Sequence, residues 1–127
     1  MTARSKTMRI AVSPAFVAAL AIHAASAARA DVEHGREVFE ACLACHSERP
    51  ESLGPSLKGV FGRKAAALED YRYSNPMKRA NLVWDEANLR DYIADPQTKV
   101  KGNRMPFGGL SQPEDIDDVI AYLKTYK

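Results

Sequence analysis

The chain has 127 residues, with 18 basic and 16 acidic side chains, which is the length expected for one domain. Four of the basic residues and none of the acidic ones lie in residues 1–30, so residues 31–127 carry 14 basic against 16 acidic side chains. This slightly acidic remainder argues against a nucleic-acid-binding protein, whose affinity depends on an excess of positive charge.

Residues 1–30 have the three-part pattern of a secretory signal peptide. Residues 1–9 are basic, residues 10–22 are apolar, and the small residues of "HAASAARA" follow. We predict cleavage after Ala30, with Ala27 as a second possible site, and therefore export to the periplasm. A bilayer span needs roughly 20 apolar residues, which this run does not reach. An uncleaved N-terminal anchor that tethers the protein to the membrane is the alternative.

The first predicted helix runs from about Val32 to Ala44. Asp31 precedes it and has the side chain of a good N-terminal cap. Val32, Phe39 and Leu43 follow the helical period.

Cys42, Cys45 and His46 come at the end of this helix, in the pattern Cys-x-x-Cys-His. This pattern is the attachment signature of c-type haem. Two thiols one helical turn apart reach the two vinyl groups on one porphyrin edge. The adjacent imidazole then faces the iron as the proximal ligand.

Three other chemistries fit this cysteine pair less well. A thioredoxin-like redox pair lies at a helix N-terminus beside a β-strand, whereas this pair ends a helix. A structural zinc site needs four ligands, so His34 would have to join the motif at an unusual spacing. A Cys42–Cys45 disulfide suits an oxidising compartment but gives His46 no role.

A long loop and two further helices are predicted after the motif. Residues 54–84 are rich in Gly, Asn and Pro and predict mostly loop, without a strand. Such a loop is unusual in a small domain unless it wraps something other than protein. A second helix is predicted over about Asp85–Asp95. The third covers residues 111–126, with Ser111 and Glu114 as a capping box.

A haem iron would need a sixth ligand, for which residues 31–127 offer three candidates. His34 lies 12 residues before His46 on the same predicted helix, about 18 Å away, and is predicted to be a surface histidine. Met77, in "YSNPMKR", is predicted to be a packing residue. Met105 lies in the Gly- and Pro-rich "KGNRMPFGGL", an irregular loop that can turn a side chain inward, and is the predicted distal ligand.

An ordered set of motifs resembles the class I cytochromes c, in particular mitochondrial cytochrome c and bacterial cytochrome c2. The motifs are "GREVFEACLACH", "GPSLKGVFGR", "YRYS", a tryptophan, "LRDYIADPQTKVKGNRMPFGGL" and "DIDDVIAYLK". The resemblance implies an all-α cytochrome c fold, with three main helices, short helical turns and long loops around one covalently bound haem. It implies a soluble monohaem one-electron carrier with His46 and Met105 as iron ligands, and not an enzyme.

The resemblance also assigns roles to other positions. Pro55 matches the residue whose carbonyl accepts the N–H of the proximal imidazole. Tyr92 matches the tyrosine beside the methionine sulfur. Four residues match the donors that neutralise a haem propionate: Arg63, Tyr73, Trp84 and the helper Ser74. The resemblance also implies that Gly35 and Phe39 of the first helix contact Val119 and Tyr122 of the last helix.

The sequence departs from the family most clearly around Met105. Where the mitochondrial protein has "PGTKM", this chain has "KGNRM". Lys101 replaces a proline, Asn103 replaces the threonine that helps to hold a propionate, and Arg104 replaces a lysine. Met77 stands where an asparagine is expected. The alternative function is therefore a ligand-binding or peroxidase-like haem protein in which Met105 is displaced.

Basic side chains cluster around the Met105 loop and acidic ones at the start of the last helix. The basic residues are Lys99, Lys101 and Arg104, with Lys78 and Arg79 nearby. Such charge separation orients a protein toward an acidic partner. We predict a monomer that docks to a redox protein, which is an oxidase, a reaction centre, a bc1-type complex or a dehydrogenase. No nucleic acid and no small-molecule substrate are expected.

Overall fold

The computed structural model describes residues 29–127, and the rest of the predicted signal peptide lies outside the described residues. Five helices lie in this part of the chain: α1 (Val32–Leu43), α2 (Asn75–Arg79), α3 (Glu86–Ala94), α4 (Pro96–Lys99) and α5 (Pro113–Thr125). The β structure of residues 29–127 is limited to an isolated antiparallel bridge between Lys64 and Val83. The predicted all-α fold, with three main helices and short helical turns, is confirmed.

Side-chain caps define where two of the main helices begin. The Asp31 carboxylate accepts hydrogen bonds from the backbone N–H groups of Glu33 and His34 at the start of α1. Asp85 accepts from the N–H of Asn88 at the start of α3. Both helices lie within a residue or two of their predicted bounds.

The start of α5 differs from its prediction. The capping box of Ser111 and Glu114 is wrong, because the N-cap is Gln112, whose side chain makes no capping hydrogen bond. Pro113 occupies the first helical position, where its fixed φ suits the helix and its missing N–H does no harm. The proline thus starts the helix one residue later than a Ser111 cap requires.

Two short helices, α2 and α4, lie outside the three helices that were predicted. Ser74 caps α2 by accepting from the N–H of Met77 at 3.3 Å. Asp95 caps α4 by accepting from the N–H of Thr98 at 3.0 Å. Both helices have a proline in their first turn. They give the loops around the core fixed anchor points.

The core is centred on the contact between α1 and α5. Phe39 and Ile120 are each 1% exposed, and the Phe39 ring lies 5.1 Å from that of Tyr122. Gly35 lies directly against the α5 backbone, where a Cβ atom would overlap the carbonyl group of Asp118. The first and last helices therefore form one unit, against which α3 packs.

Candidate cofactor site

A cavity of about 380 Å³ opens between the C-terminal end of α1, the loops of residues 44–74 and 100–112, and the inner faces of α3 and α5. Its wall is mostly apolar and includes Leu57, Val60 and Leu123. All the residues that were predicted to contact a haem line this one cavity: Cys42, Cys45, His46, Pro55, Arg63, Tyr73, Trp84, Tyr92 and Met105.

The two cysteines lie on one continuous turn of the chain. The backbone N–H groups of Cys45 and His46 both donate to the carbonyl of Cys42, at 3.1 and 2.8 Å, and extend the helical path beyond Leu43. Both cysteines are free and half-buried. The turn therefore presents two thiols and an imidazole to the same cavity.

The structure favours none of the three alternative chemistries. Free thiols at Cys42 and Cys45 do not form the disulfide. Between residues 29 and 127, no group of three or more His, Cys, Asp or Glu side chains is placed to hold a metal ion, as zinc would require. The pair lies at the C-terminal end of α1, with Cys42 in its last turn and Cys45 just beyond it, whereas a thioredoxin-like site lies at a helix N-terminus.

The His46 ring is fixed by the backbone of the following loop. Its Nδ1–H donates to the carbonyl oxygen of Pro55 at 2.8 Å. Because Nδ1 carries the proton, Nε2 carries the lone pair that a metal ion would use. Burial lowers the pKa of His46, and the bond to Pro55 partly opposes this shift. The imidazole is therefore neutral near pH 7, as metal ligation requires.

Gly54 is a site residue whose role was not predicted. A Cβ atom at this position would lie 2.5 Å from Cε1 and 2.6 Å from Nδ1 of His46, well inside van der Waals contact. The Gly54 N–H also donates to the carbonyl of Cys45 at 2.7 Å. Glycine thus lets the loop pass against the imidazole, a contact that joins residues eight apart and that sequence spacing does not reveal.

Met105 reaches the cavity from a loop that is tied to α3 and α4. Its backbone N–H donates to Oδ1 of Asn103 at 2.9 Å, and its carbonyl accepts from the N–H of Phe107 at 2.9 Å. The N–H of Leu110 donates to the carbonyl of Ile93 and closes the loop onto α3. The Met77 side chain lies on the same cavity wall and packs against the core.

Polar side chains occupy another part of the wall. The Arg63 guanidinium donates to the carbonyls of Ser56 and Lys58, both at 2.8 Å, and these bonds fix a positive charge beside the cavity. Trp84 is 8% exposed. Burial raises the pKa of Tyr73 and raises the pKa of Tyr92 to about 12. Both phenols therefore keep their protons near pH 7, so each has an O–H group that can donate a hydrogen bond.

The remaining candidates are His34 and the residues of the predicted basic patch, of which Arg104 also lines the cavity. His34 is exposed and its Nδ1 lies 2.8 Å from Oδ2 of Asp118, as expected for a surface histidine. Lys99, in the predicted basic patch, forms an ion pair with Asp91 at 2.9 Å. Lys101 and Arg104 are exposed.

The donor set fits a haem c. Two free thiols one turn apart would suit the two covalent links, and the imidazole of His46 and the thioether of Met105, which line the same cavity, would suit the iron. The apolar lining suits a porphyrin face. The Arg63 guanidinium and the Tyr73 hydroxyl line the same cavity and would pair with the acidic substituents of the ring.

Comparisons with known proteins agree with this chemistry. The family described as Cytochrome c matches residues 32–127. The chain is 47% identical over 91 residues to cytochrome c2 iso-2 of Magnetospirillum molischianum, covering 70% of this chain and 94% of the relative. It is 39% identical over 110 residues to cytochrome c2 of Blastochloris viridis, covering 84% and 87%. The fold matches cytochrome cH from Methylobacterium extorquens with a TM-score of 0.71 and 45% identity, over 75% of this chain and 98% of that one.

Proposed function

The chain belongs to the cytochrome c family and is a haem c electron carrier, and we propose that Cys42 and Cys45 hold the haem while His46 and Met105 bind its iron. Bound haem c supplies an iron atom that alternates between Fe(II) and Fe(III) and so takes up or releases one electron at a time. The observation that carries the assignment is that two thiols, an imidazole and a thioether line one cavity.

The axial side chains have separate tasks in this proposal. Pro55 holds the His46 ring in one orientation and keeps its Nε2 lone pair available. The Met105 thioether is a soft ligand that favours the reduced state and raises the reduction potential. With both positions taken by the protein, none is left for a substrate, so we propose that the chain is not an enzyme. The tie between Met105 and Asn103 argues against the peroxidase-like alternative.

The polar part of the wall stabilises the cofactor's acidic groups. Arg63 contributes a fixed positive charge, while Tyr73 and Trp84 contribute neutral donors, and Ser74 lies beside them on the same wall. A buried carboxylate is costly without such partners. Tyr92, whose ring lies 4.9 Å from that of Trp84, supplies a protonated phenol on the same wall as Met105.

We propose that the chain is exported to the periplasm and cut after Ala30. The N atom of Asp31 lies 2.6 Å from Oδ1 of Asp118. Cleavage of the Ala30–Asp31 peptide bond would turn the neutral N–H of Asp31 into an ammonium group beside the Asp118 carboxylate. This charge would strengthen the hydrogen bond that joins α1 to α5. Within residues 29–127, no helix is long and apolar enough to cross a membrane.

The intact mass of protein purified from a host that exports it and attaches haem tests both the cofactor and the cleavage site. The expected mass under denaturing conditions is that of residues 31–127 plus one haem. A redox titration should follow a one-electron curve, with about 59 mV for each tenfold change in the ratio of oxidised to reduced protein.

Two outcomes would contradict different parts of the proposal. Haem that extracts into acidified organic solvent would exclude covalent attachment. A mass that begins at Ala28, with haem attached, would move the cleavage site and leave the cofactor assignment intact. Cys42→Ala is the matched control, since it should lose one thioether bond but keep the same N-terminus.

We propose that the carrier works as a monomer and docks to an acidic surface of its redox partners through Lys101 and Arg104. Both side chains are exposed and lie just before Met105 in the same loop, which places positive charge beside the cavity. Lys99 adds less, because Asp91 partly compensates its charge. Candidate partners are an oxidase, a reaction centre, a bc1-type complex or a dehydrogenase.

The bimolecular rate of electron transfer to a membrane oxidase or bc1-type complex is expected to fall as salt rises from about 10 to 150 mM, because screening shortens the range of charge attraction. Lys101→Glu should lower the rate at low salt about tenfold. Lys127→Glu, which makes the same charge change at the chain end, should have a much smaller effect. A rate that is flat with salt, or equal losses in both variants, would exclude docking through this surface.

A further inference from the structure

A buried amide holds the loop that carries Met105. Asn103 is polar but only 7% exposed, and among residues 29–127 no other polar or charged residue is buried to this extent. Its Nδ2 donates to the carbonyls of Pro96 and Val100, at 2.8 and 2.9 Å, and its Oδ1 accepts from the N–H of Met105 at 2.9 Å. One side chain therefore joins both ends of α4 to the backbone of Met105.

A second amide closes the same turn from outside. Oε1 of Gln97 accepts from the N–H of Gly102, and its Nε2 donates to the carbonyl of Asn103, both at 3.1 Å. The N–H of Asn103 also donates to the carbonyl of Val100 at 3.1 Å. The chain before Met105 is thus held on its buried and its exposed side by α4, whose Pro96 is itself buried.

We propose that Asn103 and Gln97 are positioning residues that hold the Met105 thioether in place and thereby determine how rarely it leaves the iron. This inference rests on the proposed ligation by His46 and Met105. The substitution of Lys101 for a proline predicted a more labile loop. The two amides supply the restraint that the proline ring would have supplied.

Because Asn103 is buried, loss of its hydrogen bonds is costly and affects the position of Met105. A buried N–H or carbonyl that loses its partner pays the full cost of having left water. If the Asn103 amide is removed, the Met105 N–H loses its acceptor, whereas the carbonyls of Pro96 and Val100 each keep one backbone donor. The Met105 N–H then regains a partner most readily by moving the loop toward water. That movement takes Met105 away from the cavity and increases the fraction of protein whose sixth iron position is open.

The test uses the haem-loaded protein and compares Asn103→Leu with the wild type. Cyanide binding to the ferric form reports how often Met105 is off the iron, since apparent affinity scales with the competent fraction. We expect Asn103→Leu to bind cyanide roughly tenfold or more tightly. We also expect its thioether–iron charge-transfer band to disappear on heating well before the helices unfold, as followed by far-UV circular dichroism.

Asn88→Leu is the matched control, because it removes a surface amide that donates to the carbonyl of Val83 at 2.8 Å, away from the loop. It should leave cyanide affinity unchanged. Should Asn103→Leu not fold, Gln97→Leu gives the same comparison at an exposed position, with the same direction of change. If the variants lower the unfolding temperature without changing cyanide affinity, the amides are only structural and the inference is overturned. A wild type that lacks the charge-transfer band would instead overturn the ligation itself, and the inference with it.

Discussion

Replacing Gly35 by alanine is expected to lower the free energy of unfolding of the haem-loaded protein by about 3 kcal/mol, near the upper end for overpacking a core. The new Cβ atom would overlap the carbonyl group of Asp118 and lie 3.0 Å from the backbone N of Val119. Both neighbours belong to a helix backbone, so they cannot rotate aside as a side chain would. The helices α1 and α5 must move apart, which opens the packing around Phe39.

Gly108→Ala is the matched control for this prediction. No atom lies within 4 Å of the position where its Cβ would be, so the same chemical change should alter stability by no more than a few tenths of a kcal/mol. Chemical denaturation followed by circular dichroism measures both variants. Because alanine favours a helix over glycine by about 1 kcal/mol, a Gly35→Ala protein that is more stable than the wild type by about this amount would mean that the helices do not approach closely here.

Replacing Met105 by alanine is expected to remove the sixth iron ligand and to change the chemistry of the site. The thioether–iron charge-transfer band should vanish, and the reduction potential should fall because the soft ligand is lost. Carbon monoxide should bind the ferrous protein at least about 100-fold more tightly, since it no longer has to displace a ligand that is in place most of the time. Visible spectra and gas titration measure these changes.

Met77→Leu is the control for the Met105 variant, because Met77 is another methionine on the same wall. It should keep the charge-transfer band and the low affinity for carbon monoxide, with at most a small loss of stability. If Met77→Leu loses the band and Met105→Ala keeps it, the two methionines have the opposite roles. Rapid carbon monoxide binding by the wild type would support the ligand-binding alternative instead.

Local sequence signals predicted the elements that depend on nearby residues. The caps of α1 and α3 were predictable because Asp31 and Asp85 bond to N–H groups two or three residues away. That Cys42, Cys45 and His46 line one cavity was predictable because they lie on one turn, and the pattern of the Met105 loop predicted that its side chain turns inward. The identity of the cofactor came from the same short spacing.

The features that were not predicted depend on contacts between distant segments, or on two neighbouring helix-start signals that compete. Gly54 is needed because its loop folds back over the His46 ring, and nothing in the sequence near Gly54 indicates that approach. The role of Asn103 requires that α4 lie beside the Met105 loop. The start of α5 was misplaced because Pro113 competes with the capping signal at Ser111 and fixes the first turn.

The pairing of the first and last helices has a consequence for biogenesis. Because α1 packs against α5, it cannot reach its final state until α5 has been synthesised. This contact spans most of the sequence, and such long-range contacts form late because closing a large loop costs entropy. Until then Cys42 and Cys45, half-buried in the finished fold, are more accessible than they are in the folded protein. We therefore expect the cofactor to be attached before the protein closes around it.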